Sequence, residues 1–201
     1  MLVLGFLVSL IVYSKLPDKI ATHWDFRGYV NGYSEKTFGL FIVPVLTLVT
    51  YLLLKFLPKI DPLEKNIEKF QEYYQDFISQ MVAFMLYLQV LVIAFNLGFQ
   101  VNVSKWVMLS LAVLFWQLSK VMKHAEPNWF IGIRTPWTLS SRRVWKNTHE
   151  LAARLFDWIA VITLLFFVFP GQIRWFIISM LFAILYLIYY SYKEYMKDSK
   201  R

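Results

Sequence analysis

Six runs of mostly apolar residues constrain this chain most: 1–16, 38–57, 77–99, 103–122, 155–169 and 173–192. An α-helix rises about 1.5 Å per residue, so about 20 residues cross a hydrocarbon layer of roughly 30 Å. Backbone groups in hydrocarbon must be paired within the segment, which makes such runs helical. Charged residues are 17% of the chain, against about a quarter in soluble domains. The expected fold is an all-α integral membrane protein: a bundle of about six transmembrane helices with two amphipathic interfacial helices.

The first run is short for a crossing. Either its helix sits high in the bilayer or the natural start lies upstream. It has no basic leader and no small-x-small cleavage site before Pro17, so it does not read as a signal peptide. Residues 17–37 carry turn formers at Gly28 and Asn31-Gly32, with Ile20, Trp24, Phe26 and Tyr29 to cover a small lid. Pro44 is expected to kink the second span, and Pro58 to close it.

Asp61-Pro62-Leu63-Glu64 reads as a helix start, with Asp61 as N-cap, Pro62 at N1 and Glu64 reaching back. Leu63, Ile67, Phe70, Tyr74 and Phe77 then mark one face of an amphipathic helix that lies on the membrane or runs into the third span. A second amphipathic run has Val144, Thr148, Leu151 and Leu155 on one face. Ser140 or Ser141 is its cap, and it continues into the fifth span, which Pro170-Gly171 ends.

Charge sets an orientation. With both termini cytoplasmic, fifteen of the 21 Lys and Arg fall inside, as the positive-inside rule asks. The lid after the first span is then external. The long segment EPNWFIGIRTPWTLSSRRVW, Glu126 to Trp145, faces the cytoplasm at the membrane boundary, where aromatic and cationic side chains both settle.

Asn128, Gly132, Ile133, Arg134, Thr135, Pro136, Trp137, Thr138 and Leu139, followed by Val144-Trp145, resemble the signature of the SdpI family. Leu16-Pro17-Asp18-Lys19-Ile20, His23-Trp24, Gly28, Lys36 and Pro44 resemble the small uncharacterised module that commonly precedes it. The short first span is the one departure from that pattern. The resemblance divides the chain into a two-span module with an external lid, 1–60, and a four-span module, 61–201, whose cytoplasmic loop is 123–145. It implies a plasma-membrane protein without enzyme activity or cofactor. Such a protein would bind a secreted peptide toxin outside and hold a cytoplasmic transcriptional repressor at the membrane. The candidate external patch is His23, Trp24, Asp25, Arg27 and Gly28. The candidate cytoplasmic face is Asn128, Gly132, Arg134, Thr135, Pro136, Trp137, Thr138 and Trp145.

These residues also have plainer roles. Arg134 can cap helix carbonyls or grip a lipid phosphate, Trp129 and Trp137 can anchor at the interface, and Asn128 can close the turn after Pro127. Asp157 is the one acid inside a span, and an interfacial pair with Arg154 three residues back is expected. Gln89, Asn96 and Gln117 are expected to bond between helices. Together with Asp157 they make the case for a rival class, a small transporter or channel exporting a toxic peptide or ion. His124, Glu126, His149 and Glu150 lack a compact ligand spacing, so no metal site is expected, and His149 is expected to pack. The dispersed basic residues point to membrane lipid rather than nucleic acid.

Overall fold

A computed structural model describes residues 1–169 and 173–200. Its elements, in order, are α1 (Leu2–Val12), β1 (Lys19–Trp24), β2 (Val30–Glu35), α2 (Lys36–Phe56), α3 (Glu64–Glu68), α4 (Gln71–Asn96), α5 (Val103–His124), α6 (Pro136–Ser140), α7 (Arg142–Val168) and α8 (Ile173–Asp198). Among the described residues four helices are long and apolar enough to cross a membrane: Lys36–Ile60, Gln71–Asn96, Arg142–Val168 and Trp175–Asp198. The first apolar helix, Leu2–Lys15, is shorter, and α5 is not among the four. α5 has spanning length, at 22 residues, but carries Lys105, Gln117, Lys120 and Lys123 among its apolar side chains. The expected Pro170-Gly171 stop lies outside the described residues.

α5 and α7 form the most extensive helix pair. Buried small residues recur at intervals of seven on both, Ala112 and Ser119 on α5, Ala153 and Ala160 on α7. Small side chains at that period let two helix backbones approach closely without a hydrophobic driving force between them. The principal core lies at one end of the bundle. Ile67, Phe70, Tyr74, Ile78, Val121, Met122, Trp145 and Ala152 are buried together there.

A smaller core of Leu16, Ile20, Leu40 and Ile93 seats the segment after α1. That segment, expected as a lid loop in an all-α fold, is an antiparallel β-hairpin, β1 against β2, with irregular register on either side of His23. Ile20 and Ala21 are buried, and Trp24 packs edge-on against Phe95 at 5.1 Å. Phe26 and Tyr29, expected to cover the lid, are exposed instead, together with Tyr33. Gly28 makes the turn with φ +91, a backbone state in which a side chain is strained, and lies against the Asn102 side chain.

Pro44 lies inside α2. Having no N–H, it leaves the carbonyl of Leu40, four residues back, without its helical donor. Ser9 Oγ of α1 donates to that carbonyl at 2.9 Å, and Gln89 Nε2 of α4 donates to Ser9 Oγ at 2.6 Å and to the Gly5 carbonyl at 2.8 Å. A sequence-local defect is thus repaired by two other helices, as apolar surroundings require.

The first amphipathic stretch departs from its expected form. α3 begins at Glu64 with no side-chain cap, and the chain breaks at Lys69-Phe70 before α4. Ile67, Phe70 and Tyr74 are buried, while Leu63 is exposed. The second forms the first turns of one continuous 27-residue helix, α7, which Ser141 caps by accepting from the Val144 N–H.

Candidate functional site

The segment between α5 and α7 folds over the principal core, and its own side chains build it. Asn128 is fully buried. Its Oδ1 accepts from the Phe130 and Ile131 N–H groups at 2.9 and 2.6 Å, and its Nδ2 donates to the Glu126 and Ile131 carbonyls at 2.8 and 3.0 Å. One amide thereby satisfies four backbone groups in a stretch with no regular structure, which burial would otherwise penalise.

Trp145 and His149, one turn apart on α7, form the floor. Trp145 is 1% exposed and donates through Nε1 to the Ala125 carbonyl at 2.7 Å. The His149 ring stacks on it with centroids 4.0 Å apart. His149 Nε2 accepts from the Ile133 N–H at 3.0 Å, while Nδ1 faces the Trp145 carbonyl at 2.8 Å. One nitrogen accepts and the other must donate, so the neutral ring carries its proton on Nδ1. Gly132 crosses this ring with φ +115, and a Cβ there would collide with Nε2. Both the conformation and the space demand glycine.

Thr135 and Thr138 cap α6 reciprocally. Thr135 Oγ1 accepts from the Thr138 N–H, and Thr138 Oγ1 accepts from the Thr135 N–H, with Pro136 at the first helical position. Thr138 Oγ1 also donates to the Ile133 carbonyl at 2.8 Å, joining turn and helix. Trp137 packs against Tyr192 of α8 with ring centroids 5.2 Å apart. Thr135 Oγ1 donates to Ser191 Oγ at 3.1 Å, and Ser141 Oγ donates to Asp198 at 2.6 Å. Arg134 is exposed and donates to the Trp129 carbonyl.

Residues from before α4 hold the outer side. Asp61 is buried. Its Oδ1 accepts from the Leu63 N–H at 2.7 Å and its Oδ2 from the Trp129 N–H at 2.8 Å. Instead of starting a helix with Glu64 as reciprocal partner, Asp61 staples the loop. Asn66 Nδ2 adds a bond to the Pro127 carbonyl at 2.8 Å. Charges ring the rim: Arg143 with Asp198, Lys197 with Glu194, and Asn147 donating to Glu194.

At the other end of the bundle, Asp25 accepts from the Arg27 and Tyr29 N–H groups and its carbonyl accepts from Ser104 Oγ. His23 and Arg27 are exposed. Asn96, near the end of α4, pairs with the backbone of Ala21. Its Oδ1 accepts at 2.7 Å and its Nδ2 donates at 2.9 Å, completing the hairpin's inner edge.

The polar residues within the helices do not converge. Gln89 serves α1, Asn96 serves the hairpin, and Gln117 Nε2 is buried without a partner among the described residues. Asp157 is exposed on α7, and no ion pair within 4 Å joins it to Arg154 among the described residues. Among the described residues no three His, Cys, Asp or Glu gather as a metal site. His124 instead stacks on Tyr73 at 3.7 Å and faces the Lys120 carbonyl.

Sequence reasoning passed over Asp61, Asn66, Ser191 and Asp198 as partners of the loop. Local patterns carry no signal for a partner tens of residues away. His149 was legible as a packing residue, because it lies one turn beyond Trp145 on the same face.

Comparison with known proteins matches two segments of the chain separately. Residues 1–48 match a domain of unknown function, DUF1648, and residues 124–192 match the SdpI/YfhL protein family. The matched SdpI segment runs from His124 to Tyr192, the stretch that contains the loop, α6, α7 and most of α8. Along 196 residues the chain is 29% identical to the immunity protein SdpI of Bacillus subtilis (strain 168), covering 96% of this chain and 92% of that protein. No solved structure matches the chain.

Proposed function

We propose that this chain is a plasma-membrane immunity protein that protects its cell against a secreted peptide toxin and signals toxin engagement by holding a cytoplasmic transcriptional repressor. The observation that carries the reading is the similarity to an immunity protein along nearly the whole length. In this reading the chain crosses the membrane six times, with α1 and α5 completing the set, and both termini are cytoplasmic. The hairpin, with exposed Phe26, Arg27, Tyr29 and Tyr33, receives the toxin. The loop around Asn128, Gly132, Arg134 and Trp137 presents the face for the repressor.

α4 supports coupling between them. One 26-residue helix, about 39 Å long, grips Ala21 through Asn96 at one end. At the other its Tyr74 lies in the core under the loop and donates to the Leu54 carbonyl at 2.6 Å. A shift of the hairpin has a continuous mechanical route to that core.

The test is expression in toxin-sensitive cells, with survival and repressor recruitment scored separately. Wild type should protect and Tyr29→Ala should protect less at equal membrane abundance. Recruitment of a repressor that is the same with and without toxin removes the signalling half. Labelling of Ser140→Cys from outside intact cells, with Tyr29→Cys protected, reverses the orientation.

A further inference from the structure

A cavity of about 300 Å³ opens between α7 and α8 beneath the loop. Its helical walls are apolar: Phe156 from α7, and Met180, Ile184 and Ile188 among others from α8. Gly132, Ile133, Arg134 and Thr135 of the loop complete the lining. Arg134 is exposed, with one guanidinium nitrogen committed to the Trp129 carbonyl. No carboxylate lies within 4 Å of it among the described residues.

We propose that this groove binds one membrane phospholipid, with an acyl chain between α7 and α8 and the phosphate on Arg134. The proposal is independent of the immunity reading. Three observations favour a lipid. The guanidinium fork matches phosphate geometry, and it sits at the mouth of an apolar slot, the charge arrangement of a headgroup above its chain. Ile184, Leu185, Ile188 and Tyr189 are exposed along the same stretch of α8, so the slot opens sideways onto hydrocarbon. The Trp137–Tyr192 pair lies one turn beyond Ile188, which places the headgroup level beside Arg134 rather than beside the slot. An acyl chain enters such a slot without polar groups to satisfy. A peptide backbone would bring N–H and C=O groups against walls of Phe, Met and Ile.

The test uses the full chain in phosphatidylcholine vesicles containing phosphatidylglycerol with a photoactivatable acyl chain, and adducts mapped by mass spectrometry. Adducts should concentrate on Met180, Ile184 and Ile188 about fivefold over Ile177, which is exposed on α8 outside the groove. Ile184→Trp, which fills the slot from its exposed side, should remove that excess, as should Arg134→Gln, with labelling at Ile177 unchanged. Should Ile184→Trp fail to fold, the wild-type adduct map and Arg134→Gln decide the question. Labelling in proportion to exposure, indifferent to both substitutions, overturns the proposal. Loss of the excess on adding inorganic phosphate assigns Arg134 to a soluble anion and also overturns it.

Discussion

Asp61 Oδ2 accepts a hydrogen bond from the Trp129 N–H at 2.8 Å across 68 positions of sequence. Its other oxygen holds Leu63, so this buried carboxylate has both oxygens engaged by backbone donors. It fastens the segment between α5 and α7 to the chain just after α2.

Asp61→Ala should therefore destabilise the chain by about 2–3 kcal/mol, since bonds to a charged acceptor are worth about 1.5–3 kcal/mol and two N–H groups lose their partner. Thermal unfolding in detergent measures the loss. Proteolysis should cut within residues 126–135 well below the unfolding temperature. Resistance equal to wild type would show that Asn66 suffices to hold the loop.

Gly132→Ala combines a strained φ with a collision against His149, at a cost of about 1–3 kcal/mol for the backbone alone. Protection in sensitive cells should fall. Because His149→Ala clears the space, the double variant should lose less than the sum of the two single losses, which a thermal-unfolding cycle reads directly.

Ser9→Ala strips the Leu40 carbonyl of its donor and should cost about 1–3 kcal/mol in a buried apolar setting. Pro44→Ala restores an N–H to α2. In that background the same Ser9→Ala change should cost less, and strict additivity of the two changes in unfolding free energy would refute the repair described here.

Asn96→Ala frees both backbone groups of Ala21. Amide exchange across Lys19–Trp24 should accelerate, about tenfold for each 1.4 kcal/mol lost, while exchange at Ile131 and Ile133 stays near wild type. If α4 transmits toxin engagement, this variant retains membrane abundance yet uncouples repressor recruitment from toxin.

Asp157→Asn should leave stability within about 0.5 kcal/mol and protection unchanged, because the exposed carboxylate has no ionic partner among the described residues. An ion flux in liposomes that depended on Asp157 would instead restore the channel class.

Apolar run length and the absence of charge determined the long helices of this protein before any tertiary contact was known, because hydrocarbon leaves the backbone no partner but itself. Short-range rules also sufficed for a serine cap at Ser140 or Ser141, the Asn128 turn and the Pro44 interruption, whose causes lie within four residues. The tertiary structure decided the rest. Residues 19–35 pair as a hairpin because Asn96 and a small core of Leu16, Ile20 and Ile93 give that edge a place to dock. Asp61 became a staple rather than a cap because Trp129 arrives beside it from another part of the chain. Arg154 and Asp157, neighbours by spacing, stay apart. Sequence neighbours propose partners within a turn or two; a buried donor or acceptor takes whichever partner packing delivers, and packing is a property of the whole bundle.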